Sequence, residues 1–441
     1  MPLLDCREIA VSTSDRRSLE RLELATELLH GFYGDPLAVI DQALADNPQF
    51  VMGHAFRAGL LITASDKSVE PILRKSVESA ETLIGHANDR ERRHIAAAHS
   101  WLDGDFERSI RQYGETAVEY PRDSLALQIA HIGDFLLGQS AMLRDRIAQV
   151  FPYWDKDVPG FGFILGMHAF GLEETNLFRQ AEDTGNRALA LNPRDPWAIH
   201  AVAHVMEMQG RQEDGIHWLS SRANDWSEDN MFAVHNWWHL GLFHLDLDDT
   251  EEVLRLYDSR IRRNRSDVAL DLIDASAMLW RLLLRGIDTG DRWSELADVY
   301  EAKQDEGYYA FNDVHALMAL VGAGRESAAQ QRIACLQKVA SGTGTNAVMT
   351  KEVGLPVGEA LVAFGHGDYA TATERLLSVR SIAHRFGGSN AQRDILHLTL
   401  LESAFRANQR NLASALASER LSLKASSPFN KKTYQRALTG H

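Results

Sequence analysis

The sequence predicts an all-α chain, a right-handed superhelix of about ten helical hairpins, and three observations predict it. Apolar residues recur with the 3.6-residue period of an α-helix nearly end to end. Alternating runs of β-branched residues, the mark of strands, are absent. A glycine-centred turn recurs at Gly104, Gly138, Gly210, Gly286, Gly324 and Gly367, and Asn176 and Asp248 fill the same slot in two further copies. Successive intervals are then 34, 38, 34, 38, 38, 38 and 43 residues. A period of about 34 is that of the tetratricopeptide hairpin, and four extra residues lengthen a helix by about one turn.

In chain order, residues 1–23 form an N-terminal segment, 24–425 a tetratricopeptide-like array, and 426–441 a polar tail. Two weak copies open the array, around Leu28–Pro48 and His54–Leu73. The copy from Asn192 to Leu219 shows the layout best: Asn-Pro at the junction, a first helix, the Gly210-Arg211 turn and a second helix. Small residues such as Ala203, Gly241 and Ala360 precede turns where two helices approach closely. Ser341–Gly354 and Arg385–Asn390 read as loops. Stacked repeats bury one another's faces, so the array reads as one structural domain.

Composition narrows the function classes. The 441 residues are 45% hydrophobic and 24% charged, enough apolar content for a large core. A formal net charge of −15, with no basic stripe, argues against nucleic acid and anionic membranes. No apolar run approaches the roughly 20 residues of a membrane span. The N-terminus lacks the basic head and apolar core of a signal peptide, and two distant cysteines, Cys6 and Cys335, make no disulfide framework. A cytoplasmic setting is expected.

One stretch carries chemistry. His200, His204 and Glu207 lie at spacings of four and three, and His235 and His239 form a second pair four apart in the next copy. Residues three or four apart share a helix face. With the turn residue numbered 15, His200, His204 and Glu207 occupy positions 5, 9 and 12, and His235 and His239 positions 2 and 6. Those positions fall within an arc of about 120° that lines the concave side of a stacked repeat. Glu173 takes position 12 in the preceding copy. The expected site is a divalent, zinc-like ion on His200, His204, His235 and His239, with Glu207 or Glu173 as general base or supporting carboxylate. Zinc takes three or four nitrogen and oxygen ligands, and a catalytic site keeps one position for water.

Trp238 and Trp280 fall on the same arc, and seven of the nine tryptophans lie between Trp197 and Trp293. Aromatic walls beside convergent polar groups suit a small-molecule ligand. His315 repeats the slot of His239 two copies later, while His168, at position 7, points to the packing side. The Gly387-Gly388 loop entering a helix is an ordinary N-cap or an anion site with Arg393. A superhelix of this length is expected to curl into a channel that brings His315, Arg393 and this loop opposite the histidines.

WAIHAVAHVMEMQGR (Trp197–Arg211), MFAVHNWWHLGLF (Met231–Phe243), DASAMLWR (Asp274–Arg281), FNDVHALMAL (Phe311–Leu320) and GGSNAQRD (Gly387–Asp394), in this order, resemble the tetratricopeptide repeat protein 38 family. The resemblance covers the chain from about Leu24 to the last helix. It implies an all-helical repeat fold in a soluble protein and brings no reaction with it. The groove residues lead to a metal-dependent hydrolase of a small molecule, with Trp238, Trp280, His315 and Arg393 binding substrate. The alternatives are a protein-interaction scaffold and a metal-free ligand-binding protein. Against the scaffold, His, Glu and Trp fill slots where peptide-binding repeats commonly place Lys, Arg and Asn.

Overall fold

The computed structural model describes residues 2–303 and 307–439. Met1, Gly440 and His441, at the ends of the two terminal segments, lie outside the described residues. The helices pair in sequence into hairpins, from Arg16–Gly31 with Pro36–Asp46 to Asn390–Arg406 with Arg410–Leu423, and Pro428–Thr439 follows them. The fold is an all-α helical repeat. Among the described residues, one sheet occurs, two two-residue strands pairing Leu3 with Val11 and Leu4 with Ala10.

The turn positions behave as the period requires. Gly104, Gly138, Gly210, Gly286, Gly324 and Gly367 all take left-handed backbone, with φ between 66° and 79°. Asn176 (φ 62°) and Asp248 (φ 63°) do the same, as short polar residues can. Asn408 (φ 56°) makes the corresponding turn of the last hairpin.

Two expected irregular stretches are helical instead. Within Ser341–Gly354, residues Thr345–Met349 are α-helix and Thr350–Gly354 a π-turn that runs into Leu355–Gly365. Asn346 pins this segment, donating to the Gly307 carbonyl at 2.9 Å and accepting from the Ala310 amide at 2.9 Å. Met349 and Val353 are buried beneath it. Packing thus overrides a composition rich in Ser, Gly and Thr. The polar stretch from Ser426 carries the helix Pro428–Thr439.

The chain forms two compact units, residues 1–202 with 228–232, and residues 203–227 with 233–441. The boundary falls inside the helix Pro196–Met208. In the first unit, buried Asp123 accepts from Arg90 at 2.9 Å and from His94 at 2.8 Å, joining successive hairpins. The strap 228–232 is fastened where the Met231 amide donates to the Phe32 carbonyl at 2.8 Å.

Large side chains and paired polar groups pack the interior of the second unit. Trp280, on Ala269–Leu284, is fully buried and donates through Nε1 to Thr399 Oγ1 of Asn390–Arg406 at 3.0 Å. One residue on, Arg281 donates to the Ala391 carbonyl at 2.9 Å. The C-terminal helix is built into the same unit. Ser426 donates to the Gly210 carbonyl at 2.8 Å, Ser427 to Asp246 at 2.7 Å, and the Arg285 guanidinium lies 3.8 Å over the Phe429 ring.

Candidate functional site

The helix Pro196–Met208 begins where Asp195 accepts from the amides of Trp197 (3.0 Å) and Ala198 (3.1 Å), with Pro196 at a position that needs no donor. It carries His200, His204 and Glu207 on one face. Ala233–Asp246 carries His235 and His239 on another. Three of these histidines fall in the second unit, and the structure brings them together. One ring nitrogen from each of His204, His235 and His239 lies within 4.8 Å of the others, and all three side chains are buried. The His204 and His239 rings are 4.4 Å apart, and those of His235 and His239 4.8 Å.

Carboxylates stand behind two of the three rings. His239 Nδ1 is 3.0 Å from Glu207 Oε2, and His235 Nδ1 is 2.9 Å from Asp274 Oδ2. Each Nδ1 lies within hydrogen-bond distance of a carboxylate oxygen, which fixes how the ring is turned. Burial drives the His239 imidazole well below its ordinary 6.5, joined by the neighbouring His204, His235, Arg281 and Lys424. At neutral pH this ring is uncharged. Burial also raises the Asp274 carboxyl, against the pull of His235 beside it.

Asp274 opens one of the motifs quoted from the sequence but was not among the expected site residues. It lies 39 residues after His235, close to one repeat period, so a search one period on from each candidate ligand finds it. Glu207 is where the sequence placed it, one turn after His204. Its other oxygen is 3.9 Å from Lys424 Nζ, and it lines a polar cavity of about 50 Å³ with Gln212, Asp246, Arg281 and Asp394. Asp394 is paired with Arg420 at 2.6 Å, and Arg281, pulled down to about 10 by burial, remains a cation at neutral pH.

His200 and Glu173 fall in the first unit. The His200 ring sits in an aromatic cluster, 5.3 Å from Phe170, 5.3 Å from Trp197 and 4.9 Å from Phe232. Glu173 is fully buried on Phe161–Glu174. His168 packs edge-on against Phe151 at 4.6 Å, as its position 7 predicts.

The residues expected to bind substrate are occupied by the fold. Trp238 is fully buried, stacks on His235 at 5.3 Å and has Arg281 5.2 Å from its ring. Trp280 is spent on Thr399. His315 Nδ1 bonds the Phe311 carbonyl one turn earlier at 2.8 Å, and its ring lies on Phe311 at 4.5 Å. Arg393 donates to the carbonyls of Gly387 and Gly388 and to Asn390 Oδ1. It holds its own loop, because two positive-φ glycines turn the loop carbonyls toward it. Ser389 caps the helix through a capping box with Gln392, so the bland of the two sequence readings of this loop describes it.

No family model matches the chain. Among solved structures, human IFIT1 in a dimer with PPP-AAAA is 12% identical over 97% of this chain and 95% of its own, with a TM-score of 0.40. Cut9, from an APC/C hetero-tetramer with Hcn1, is 11% identical over 96% and 97%, with a TM-score of 0.39. Yeast Tom70 is 10% identical over 97% and 89%, with a TM-score of 0.34. Among the described residues, no helix is long and apolar enough to cross a membrane.

Proposed function

We propose that this helical-repeat protein, a member of the tetratricopeptide repeat protein 38 family it resembles, works as an interaction scaffold for a polypeptide partner. The observation that carries this reading is the small space beside the histidines of the second unit. The cavity beside Glu207 measures about 50 Å³, against the roughly 300–1,000 Å³ of small-molecule pockets. Space for a ligand lies instead at the surface of the first unit. There a cleft of about 480 Å³ is lined by Arg7, Ile9, Tyr120, Arg122 and Tyr153 among others, and Tyr153 is 55% exposed. Aromatic and arginine side chains around an open cleft suit a peptide segment.

Peptide-array binding to the purified full chain tests this. Retained peptides should be lost with Tyr153→Ala and Arg122→Glu and kept with His204→Ala. Turnover of amide or ester substrates that disappears with His204→Ala and with chelation overturns the scaffold reading.

The second reading, a metal-dependent hydrolase with Glu207 as general base, is favoured by one observation, the carboxylates behind His235 and His239. It requires room for a substrate beside the histidines, where the cavity at Glu207 measures about 50 Å³.

A further inference from the structure

The histidine groups of this molecule differ in how their nitrogens are used. In the first unit His94 spends Nε2 on Asp123, which also holds Arg90, and His30 bonds the carbonyls of Thr26 and Ser124. Those are fold-holding contacts. The group in the second unit is built otherwise, with two Nδ1 atoms backed by carboxylates and the rings turned on one another.

We infer that His204, His235 and His239 hold one divalent transition-metal ion of zinc's class, with Asp274 and Glu207 as the supporting carboxylates. This goes beyond the scaffold reading and does not depend on it.

Three lines of chemistry converge. A carboxylate on Nδ1 fixes the tautomer, orients the ring and raises the basicity of Nε2, the arrangement found behind metal-bound histidines. Two such pairs meet in one cluster, with the Asp274 carboxylate fully buried and Glu207 at the edge of a polar cavity beside Lys424. Second, the ligand atoms are imidazole nitrogens, which suit zinc, cobalt, nickel and copper and not magnesium or calcium. Third, Asp274 and Glu207 put two carboxylates directly behind the rings, with Arg281 and Lys424 as the nearest cations.

The spacing fits with small adjustments. Nitrogen–zinc distances of 2.0–2.1 Å place tetrahedral ligand nitrogens about 3.3 Å apart. The three nitrogens lie within 4.8 Å of one another, so each ring moves by less than about 1 Å to reach that geometry. The surrounding burial, with His204 and His239 at 0% exposure, makes this a closed site and gives the ion a part in holding Pro196–Met208 to Ala233–Asp246.

The test uses untagged full-length protein stripped with chelator and then titrated with Zn²⁺ or Co²⁺. Elemental analysis after dialysis should return about one ion per chain, and the cobalt form should show the intense visible bands of a tetrahedral site. The His204→Ala/His239→Ala double variant should lose both. Since that variant removes two buried rings, Glu207→Gln is the companion. It keeps all three ligands and should weaken metal affinity about 10- to 100-fold with an unchanged circular dichroism spectrum. Wild-type protein that retains well under one ion per chain in saturating Zn²⁺ overturns the inference. So does Glu207→Gln protein that binds as tightly as wild type, which would place the ion elsewhere.

Discussion

Replacing Trp280 by alanine should open the interior of the second unit rather than merely weaken a binding site. The ring is fully buried between Trp293 (6.5 Å) and Phe364 (5.6 Å), and its Nε1 donates to Thr399, 119 residues away. Truncating a buried tryptophan costs about 3–5 kcal/mol through lost transfer energy and the cavity left behind. Thr399→Val is nearly isosteric and strands the indole N–H without an acceptor, at a cost of about 1–3 kcal/mol. Trp280→Phe combined with Thr399→Val should cost about 1 kcal/mol less than the two singles summed, because the second change finds the hydrogen bond already gone. Native-state hydrogen exchange is the right assay, since a two-unit repeat protein need not unfold in one step. Amides of Ala269–Leu284 and Asn390–Arg406 should exchange roughly two to four powers of ten faster in Trp280→Ala, at about 1.4 kcal/mol per tenfold. A cost under about 1 kcal/mol and a silent Thr399→Val would refute the argument and restore Trp280 as a wall of an open pocket.

Further outcomes follow from single positions. Arg332→Ala should cost about 3–5 kcal/mol by thermal or urea unfolding, because it removes the guanidinium 2.7 Å from buried Asp313 and its donors to the Tyr300 and Lys303 carbonyls. Gly324→Ala should cost about 1–2 kcal/mol from its φ of 68° alone, since no atom lies within 4 Å of the added methyl. Gly85→Ala, equally unobstructed but outside the left-handed region, should stay within about 0.5 kcal/mol of wild type. Burial raises Asp195 from 3.8 to about 7 in the folded chain. The native state therefore binds the extra proton, and this carboxyl's contribution to stability is present below its ordinary value and lost as pH climbs toward 7. Wild type minus Asp195→Asn, measured by denaturant unfolding from pH 4 to 8, should show that slope; a flat difference refutes it.

Much of the fold was legible because it is local. The turn residues could be read from an interval, and all eight chosen positions take positive φ, since reversing a helix in so few residues demands a conformation that few side chains tolerate. The 3.6-residue period also told which faces are apolar, and it set Glu207 among the residues expected beside the histidines, though that Glu207 meets His239 was not read from it. What covers a helix face is not local, and there tertiary structure decided. That Trp280 meets Thr399, that His235 rests on Asp274 and that Ser427 returns to Asp246 depend on contacts 119, 39 and 181 residues apart. The contacts of Arg393 are local by contrast, its guanidinium being held by backbone carbonyls five and six residues before it. Periodicity sets the direction in which a side chain leaves its helix. Whether that direction ends in an open groove or in another helix depends on how the repeats close, which no single repeat encodes.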